Sequence, residues 1–312
     1  MIRASGTTVI GYDLGPQGDD AVALAEVLTG LTGTTPLVAT VLTWPSHLIG
    51  AKELAQEVER HTASAFAAVR DRFRPVEVEC RTIFDRAPAR GLQQLAEEEG
   101  AVMIVAGSSH RGPVGRTLLG SVGTDLLQGA PCAVAIAPKG LAARPRHQLQ
   151  RIGVAFDGTP EAWGALETAI GLSERVHGAL TILTVAEPPR YGYADSLSIL
   201  GAEGLRSAEV ADKERLLDLA YGRVPAGLEA SGTVLRGPPA QSLAAACDDL
   251  DLMVCGSRGY GPLRRTLLGS TSRGLTANAS CPVIILARGI SLDPLGVTGE
   301  RAAAWAVQGS NL

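Results

Sequence analysis

The residues whose types and spacing can do chemistry lie between Gly256 and Ser270, in the stretch GSRGYGPLRRTLLGS. Two residues separate Gly256 from Gly259, and nine more lead to the pair Gly269-Ser270. Such glycines let backbone N–H groups turn toward an anion with no Cβ in the way. The apolar run Leu252 to Cys255 before them is short enough for a buried strand, and the segment from Ser270 and Thr271 onward reads as a helix. A helix start offers unpaired N–H groups and the positive end of a dipole to a phosphate, and Ser270 stands where its hydroxyl can cap that helix. The spacing is neither G-x-x-x-x-G-K-S/T nor G-x-G-x-x-G, so it points to neither of those nucleotide classes. Arg258, Arg264 and Arg265 read either as counter-charges for phosphate or as solvated loop arginines.

The chain carries this pattern twice. Gly107 to Ser121 reads GSSHRGPVGRTLLGS, and RTLLGS stands at both Arg116–Ser121 and Arg265–Ser270. TTVIGYD, ending at Asp13, matches RIGVAFD, ending at Asp157; QGAPCAVAIA at 128–137 matches NASCPVIILA at 278–287. Self-similarity at domain length indicates duplication rather than a solenoid. The copies differ in two places: His110 stands where the second has Gly259, and Asp13 is followed by Leu14 where Asp157 is followed by Gly158. Histidine visits the left-handed backbone region more readily than most residues, so the turn can survive, its ring donating to a phosphate or filling space. Asp13, Gly107, His110, Gly120 and Ser121 are the first half's candidate site. In the second half, Asp157-Gly158-Thr159 closes the first strand. A carboxylate there can accept from a ribose hydroxyl or an adenine amine, and equally can cap a helix or hold a turn.

The elements that must position these residues alternate. In the first half, strands are expected at 7–12, 37–42, 76–83, 102–106 and 133–137, with helices at 19–29, 47–73 and 88–99 and a short one before the fifth strand. Pro75 stops the second helix and Gly100 the third. The second half repeats the plan, with strands at 152–156, 180–185, 232–235, 252–255 and 283–286. A turn-rich excursion at 188–204 could fold over a ligand or be plain surface. Alternating strands and helices call for a parallel sheet covered on both faces. The expected organisation is a first domain at 1–138, a proline-containing linker at 139–150, a second domain at 151–288 and a mobile tail at 289–312.

Composition narrows the partners. With 46% hydrophobic residues in 312, few aromatics and a net charge of −4, the chain reads as a soluble α/β protein without the basic footprint of a nucleic-acid binder. No apolar run approaches the ~18 residues of a membrane span, and no secretory leader is visible, so a cytoplasmic location is expected. Five cysteines without a C-x-x-C pair read as buried reduced thiols. No cluster of metal spacing and no nucleophile beside a base is evident.

The glycine spacing between strands, present twice, resembles the ATP-binding signature of the universal stress protein family over most of the chain. That resemblance implies two tandem doubly wound five-stranded parallel sheets, strand order 3-2-1-4-5, with helices on both faces. The ligand is then expected beyond the carboxyl ends of strands one and four. It implies that Gly256, Gly259, Gly269 and Ser270, with Thr271 beside them, wrap phosphates and ribose. Asp157, Gly158 and Thr159 would line the adenosine pocket, and Val185, with Val41 as its first-half counterpart, would meet the adenine through its backbone. The ligand implied is ATP, ADP or AMP, with magnesium or manganese arriving on the nucleotide. Paired fifth strands would make the halves an intramolecular pseudo-dimer, and two chains could pair again as a homodimer. The function implied is a stress or energy-state sensor with at most slow ATP hydrolysis. An ATP-cleaving enzyme of related topology is the alternative, although Asp157-Gly158-Thr159 stands where such enzymes carry a Ser-Gly-Gly-x-Asp-Ser type loop. A non-binding scaffold is the third reading.

Overall fold

A computed structural model describes residues 6–43, 51–108, 120–144, 148–187, 199–257 and 269–286. The first half runs β1 (Thr7–Gly11), α1 (Pro16–Thr32), β2 (Thr35–Thr43), α2 (Ala51–Phe73), β3 (Glu79–Asp85), α3 (Pro88–Glu98), β4 (Met103–Gly107), α4 (Ser121–Gly129) and β5 (Ala133–Ala137). The second repeats it as β6 (Arg151–Ala155), α5 (Pro160–Val176), β7 (Ala179–Ala186), α6 (Ile199–Tyr221), β8 (Ala230–Arg236), α7 (Pro239–Ala246), β9 (Leu252–Gly256), α8 (Ser270–Asn278) and β10 (Val283–Leu286).

Each half has the strand order 3-2-1-4-5, every neighbour parallel. The two five-stranded sheets join into one of ten strands, because β5 and β10 pair antiparallel with Val283 opposite Ile136 and Ile285 opposite Val134. Both strands are apolar and buried along their whole length. Left open, either would be an exposed apolar edge inviting association, and each covers the other. The opposite polarity puts the carboxyl ends of the two sets of strands on opposite rims of the sheet. Alternation along the strands feeds two apolar layers: Ile10 and Val154 pack under α1, α2, α5 and α6, whereas Val9 and Met103's neighbour Ile104 pack under α3, α4, α7 and α8.

Several boundaries differ from the sequence reading, three of them for reasons visible in the fold. β3 begins at Glu79 rather than at 76, because the Val76 amide closes a turn onto Phe73 O at 2.8 Å and leaves Val76 52% exposed. α1 begins at Pro16, whose missing N–H costs nothing in a first turn. α6 begins at Ile199, so part of the turn-rich excursion is helix; 188–198 and the tail from 287 onward lie outside the described residues.

The segment between the halves is held by a buried carboxylate. Asp20, 1% exposed on α1, accepts from the amides of Gly140 and Ala142, each at 2.8 Å, and Leu141 is buried beside it. Further on, Asp251 anchors the first strand of the second half, accepting from the amides of Gln150 (3.0 Å) and Arg151 (2.8 Å) and from the Arg151 guanidinium (3.1 Å). Burial pushes its pKa up, but these hydrogen bonds outweigh burial and hold it below the ordinary carboxylate value. A depressed folded pKa contributes stability above the unfolded value, about 4, and that contribution is lost as pH falls through the folded value. Asp251→Asn is therefore expected to cost about 1 kcal/mol at pH 7 by urea denaturation. The difference from the parent should shrink below about pH 4; a gap unchanged at acid pH would show that charge is not what Asp251 supplies.

Candidate functional site

In the second half, three chain segments meet at the carboxyl rim. β6 ends where the Phe156 amide pairs with Leu183 O at 2.8 Å, and the chain then turns through Gly158 at φ 79°, a left-handed conformation that glycine adopts without strain. Asp157 Oδ1 accepts from the Thr159 amide at 3.1 Å and from its hydroxyl at 2.6 Å. Thr159 Oγ1 in turn accepts from Ala162 N at 3.3 Å and caps α5. Thr159 is thus the helix cap, and Asp157, exposed at the rim, orients it. Behind the turn, Phe156 packs edge-on against Trp163 at 4.7 Å, with the Arg223 guanidinium 5.3 Å over the indole.

The second segment is the end of β9. A Cβ on Gly256 would stand 2.6 Å from Glu161 O, so glycine is required there by the close approach of α5 to the strand. The Ser257 amide bonds Leu286 O at 2.9 Å, while its hydroxyl is buried with no partner among the described residues. The third segment is the start of α8. Gly269, at φ −65° and ψ 156°, occupies the cap position and supplies no side chain to it. This corrects the expected capping role of Ser270, which is the first helical residue instead. Among the described residues a Cβ on Gly269 would have nothing within 4 Å. Ser272 ties the first turn of α8 to β9, its hydroxyl donating to Gly256 O at 3.3 Å.

Between these segments lies a cleft of about 410 Å³. Asp157, Thr159, Val185, Gly256, Gly269, Ser270 and Thr271 line it, so the structure gathers these seven sequence-predicted residues at one place. Gly158 sits behind the wall, under Leu216 of α6. Arg258 and Gly259 lie outside the described residues, as do Arg264 and Arg265. The sequence reading missed Glu187, Glu209, Lys213, Pro239 and Leu243, which also line the cleft. Glu209 and Lys213 are one turn apart on α6, a spacing visible in the sequence, but which face of that helix looks toward the rim was not. Cys255 also reaches the cleft wall; burial pushes its thiol up to about 11, so it is protonated at neutral pH and is no nucleophile. Among the described residues no group of three or more His, Cys, Asp or Glu could hold a metal ion.

The first half is built differently at the matching place. Asp13 Oδ1 accepts from the amides of Gly15 at 3.0 Å and Gly18 at 2.8 Å, so this carboxylate does the capping of α1 that Thr159 does for α5. Leu14 carries φ 61° where the second half has Gly158, and is exposed. Gly107 is again pressed by the first helix: a Cβ would stand 2.0 Å from Gln17 O. Val41 packs on α3, where a Cβ on Gly91 would come 2.8 Å from its Cγ1. Gly120 caps α4 without a side chain and Ser121 opens that helix, as Gly269 and Ser270 do for α8. His110 lies outside the described residues.

Comparison with known proteins places these features among relatives. The model of the universal stress protein family matches residues 6–138 and again 148–287. A universal stress protein of Mycobacterium tuberculosis, Rv2319c, is 25% identical over 299 residues, covering 90% of this chain and 99% of that one. A second from the same organism, Rv2005c, is 31% identical over 220 residues, covering 68% and 70%. Among solved structures, a universal stress protein of Archaeoglobus fulgidus superposes with a TM-score of 0.65 at 20% identity, over 91% of this chain and 98% of that one. A Pseudomonas aeruginosa structure described as a putative universal stress protein gives 0.62 at 15% identity, over 92% and 95%. At such identities these two structures speak for the fold.

Proposed function

The chain belongs to the universal stress protein family, and from that premise we propose that its second half binds an adenine nucleotide, ATP, ADP or AMP, in the cleft between β6, β9 and α8. The observation that carries this reading is Gly269. Among the described residues nothing asks for glycine there: its backbone angles suit any residue and no described atom lies in the space a Cβ would fill. That space opens on the cleft at a helix start that has no side-chain cap, a place suited to phosphate oxygens. Asp157 at the opposite lip can take a hydrogen bond from ribose or base, and Val185 lies beside it. Magnesium or manganese would come with the phosphates.

In this reading the protein is a sensor or regulator of stress or energy state in the cytoplasm, with ligand occupancy as its signal. The paired β5 and β10 support an intramolecular pseudo-dimer of the two halves. The first half contributes assembly rather than a second nucleotide site, because Asp13 is turned onto the amides of its own helix. Denaturing freshly purified protein and quantifying released nucleotide is expected to give about one adenine nucleotide per chain. Two per chain would overturn the reading of the first half. None, with no thermal shift in millimolar ATP, would overturn the whole proposal, since ligand at 100 times its Kd stabilises by about 2.7 kcal/mol.

A further inference from the structure

We infer that Lys213 reads the nucleoside part of the ligand, a step that rests on the nucleotide reading above. Lys213 lines the cleft from α6, and four carboxylates from several elements, Asp157, Glu161, Glu187 and Glu209, line it too. Yet Lys213 has no ion-pair or hydrogen-bond partner among the described residues. The natural partner is Glu209, one turn earlier, since a Glu four residues before a Lys is the favoured helical pair. Glu209 is turned elsewhere: its Oε1 accepts from the backbone amide of Glu187, just past the end of β7, at 2.8 Å. The ammonium is thereby left to the cleft.

Two contacts fix where along the cleft it acts. Glu209 holds α6 to the end of β7, and Leu216, three residues beyond Lys213, lies where its Cδ2 would be 2.9 Å from a Cβ on Gly158. Lys213 therefore stands between the end of β7 and the turn after β6. In the sheet β7 and β9 flank β6 on opposite sides, and α8 follows β9. The lysine is thus on the flank away from the helix start assigned to phosphate, beside Asp157 and Val185. An ammonium carries three donors and no acceptor, so it meets acceptor atoms of the nucleoside, a ring nitrogen or a ribose oxygen, while Asp157 accepts.

The test is calorimetric titration of the parent, Lys213→Met and Lys213→Arg with ATP, ADP, AMP and adenosine. Lys213→Met is expected to weaken all four by the same factor, about ten-fold, with the melting temperature of the unliganded protein unchanged and affinity partly restored in Lys213→Arg. Unchanged affinities in Lys213→Met, with the parent binding, would overturn this assignment alone. A loss that grows with each added phosphate would also overturn it by moving the lysine to the phosphate end. A parent that binds none of the four would overturn the nucleotide reading and this inference with it.

Discussion

A Gly269→Asp variant is expected to fold as well as the parent and to lose nucleotide. Its backbone angles, φ −65° and ψ 156°, are open to any L-residue, and no described residue lies within 4 Å of the added Cβ. Aspartate is moreover among the best helix caps, so the unliganded protein should change by only a few tenths of a kcal/mol, in the stabilising direction. The same carboxylate would occupy the N–H groups of α8 and repel a phosphate approaching them. Affinity for ATP is expected to fall by about 100-fold or more, equivalent to about 2.7 kcal/mol, read by calorimetry against an unchanged thermal midpoint. Parent-like affinity in the folded variant would remove the start of α8 from the site.

Gly107→Ala is expected to do the reverse, damaging the fold through a residue of the same sequence pattern. Its Cβ would stand 2.0 Å from Gln17 O and 2.7 Å from the carbonyl carbon, both backbone atoms of α1 that no rotamer change can move away. Either α1 lifts from β4 or the strand end distorts, and overpacking of this kind costs about 3 kcal/mol. The denaturant midpoint should drop accordingly with its slope retained. Gly256→Ala, 2.6 Å from Glu161 O, should follow in the same sense and less severely. An unaltered midpoint for Gly107→Ala would contradict the close approach of α1 to β4.

The surroundings of these two glycines separate what spacing made legible from what it did not. The members of the glycine pattern stand for different reasons: Gly107 and Gly256 admit a neighbouring helix, whereas Gly269 leaves a space among the described residues. Spacing cannot separate the two, because both need only the absence of a Cβ. The bounds of β5 and β10 followed from apolar runs ended by turn formers, and the strand order came from family resemblance rather than from spacing. The change from Asp-Gly to Asp-Leu between the halves was visible, but its result depends on where a carboxylate finds amides. Asp13 finds those of Gly15 and Gly18; Asp157 finds Thr159. Lys213 went unread because α6 is amphipathic only in part, and its polar residues do not announce which of them faces the rim.

The seam between β5 and β10 has one more consequence, which concerns dilution. Were the halves separate polypeptides, the Val283–Ile136 and Ile285–Val134 pairing would form only as far as protein concentration allowed. Here a short covalent connection, itself held to α1 through Asp20, joins them, and a short tether supplies an effective concentration in the millimolar range. The pairing of the two halves is therefore expected to be independent of protein concentration.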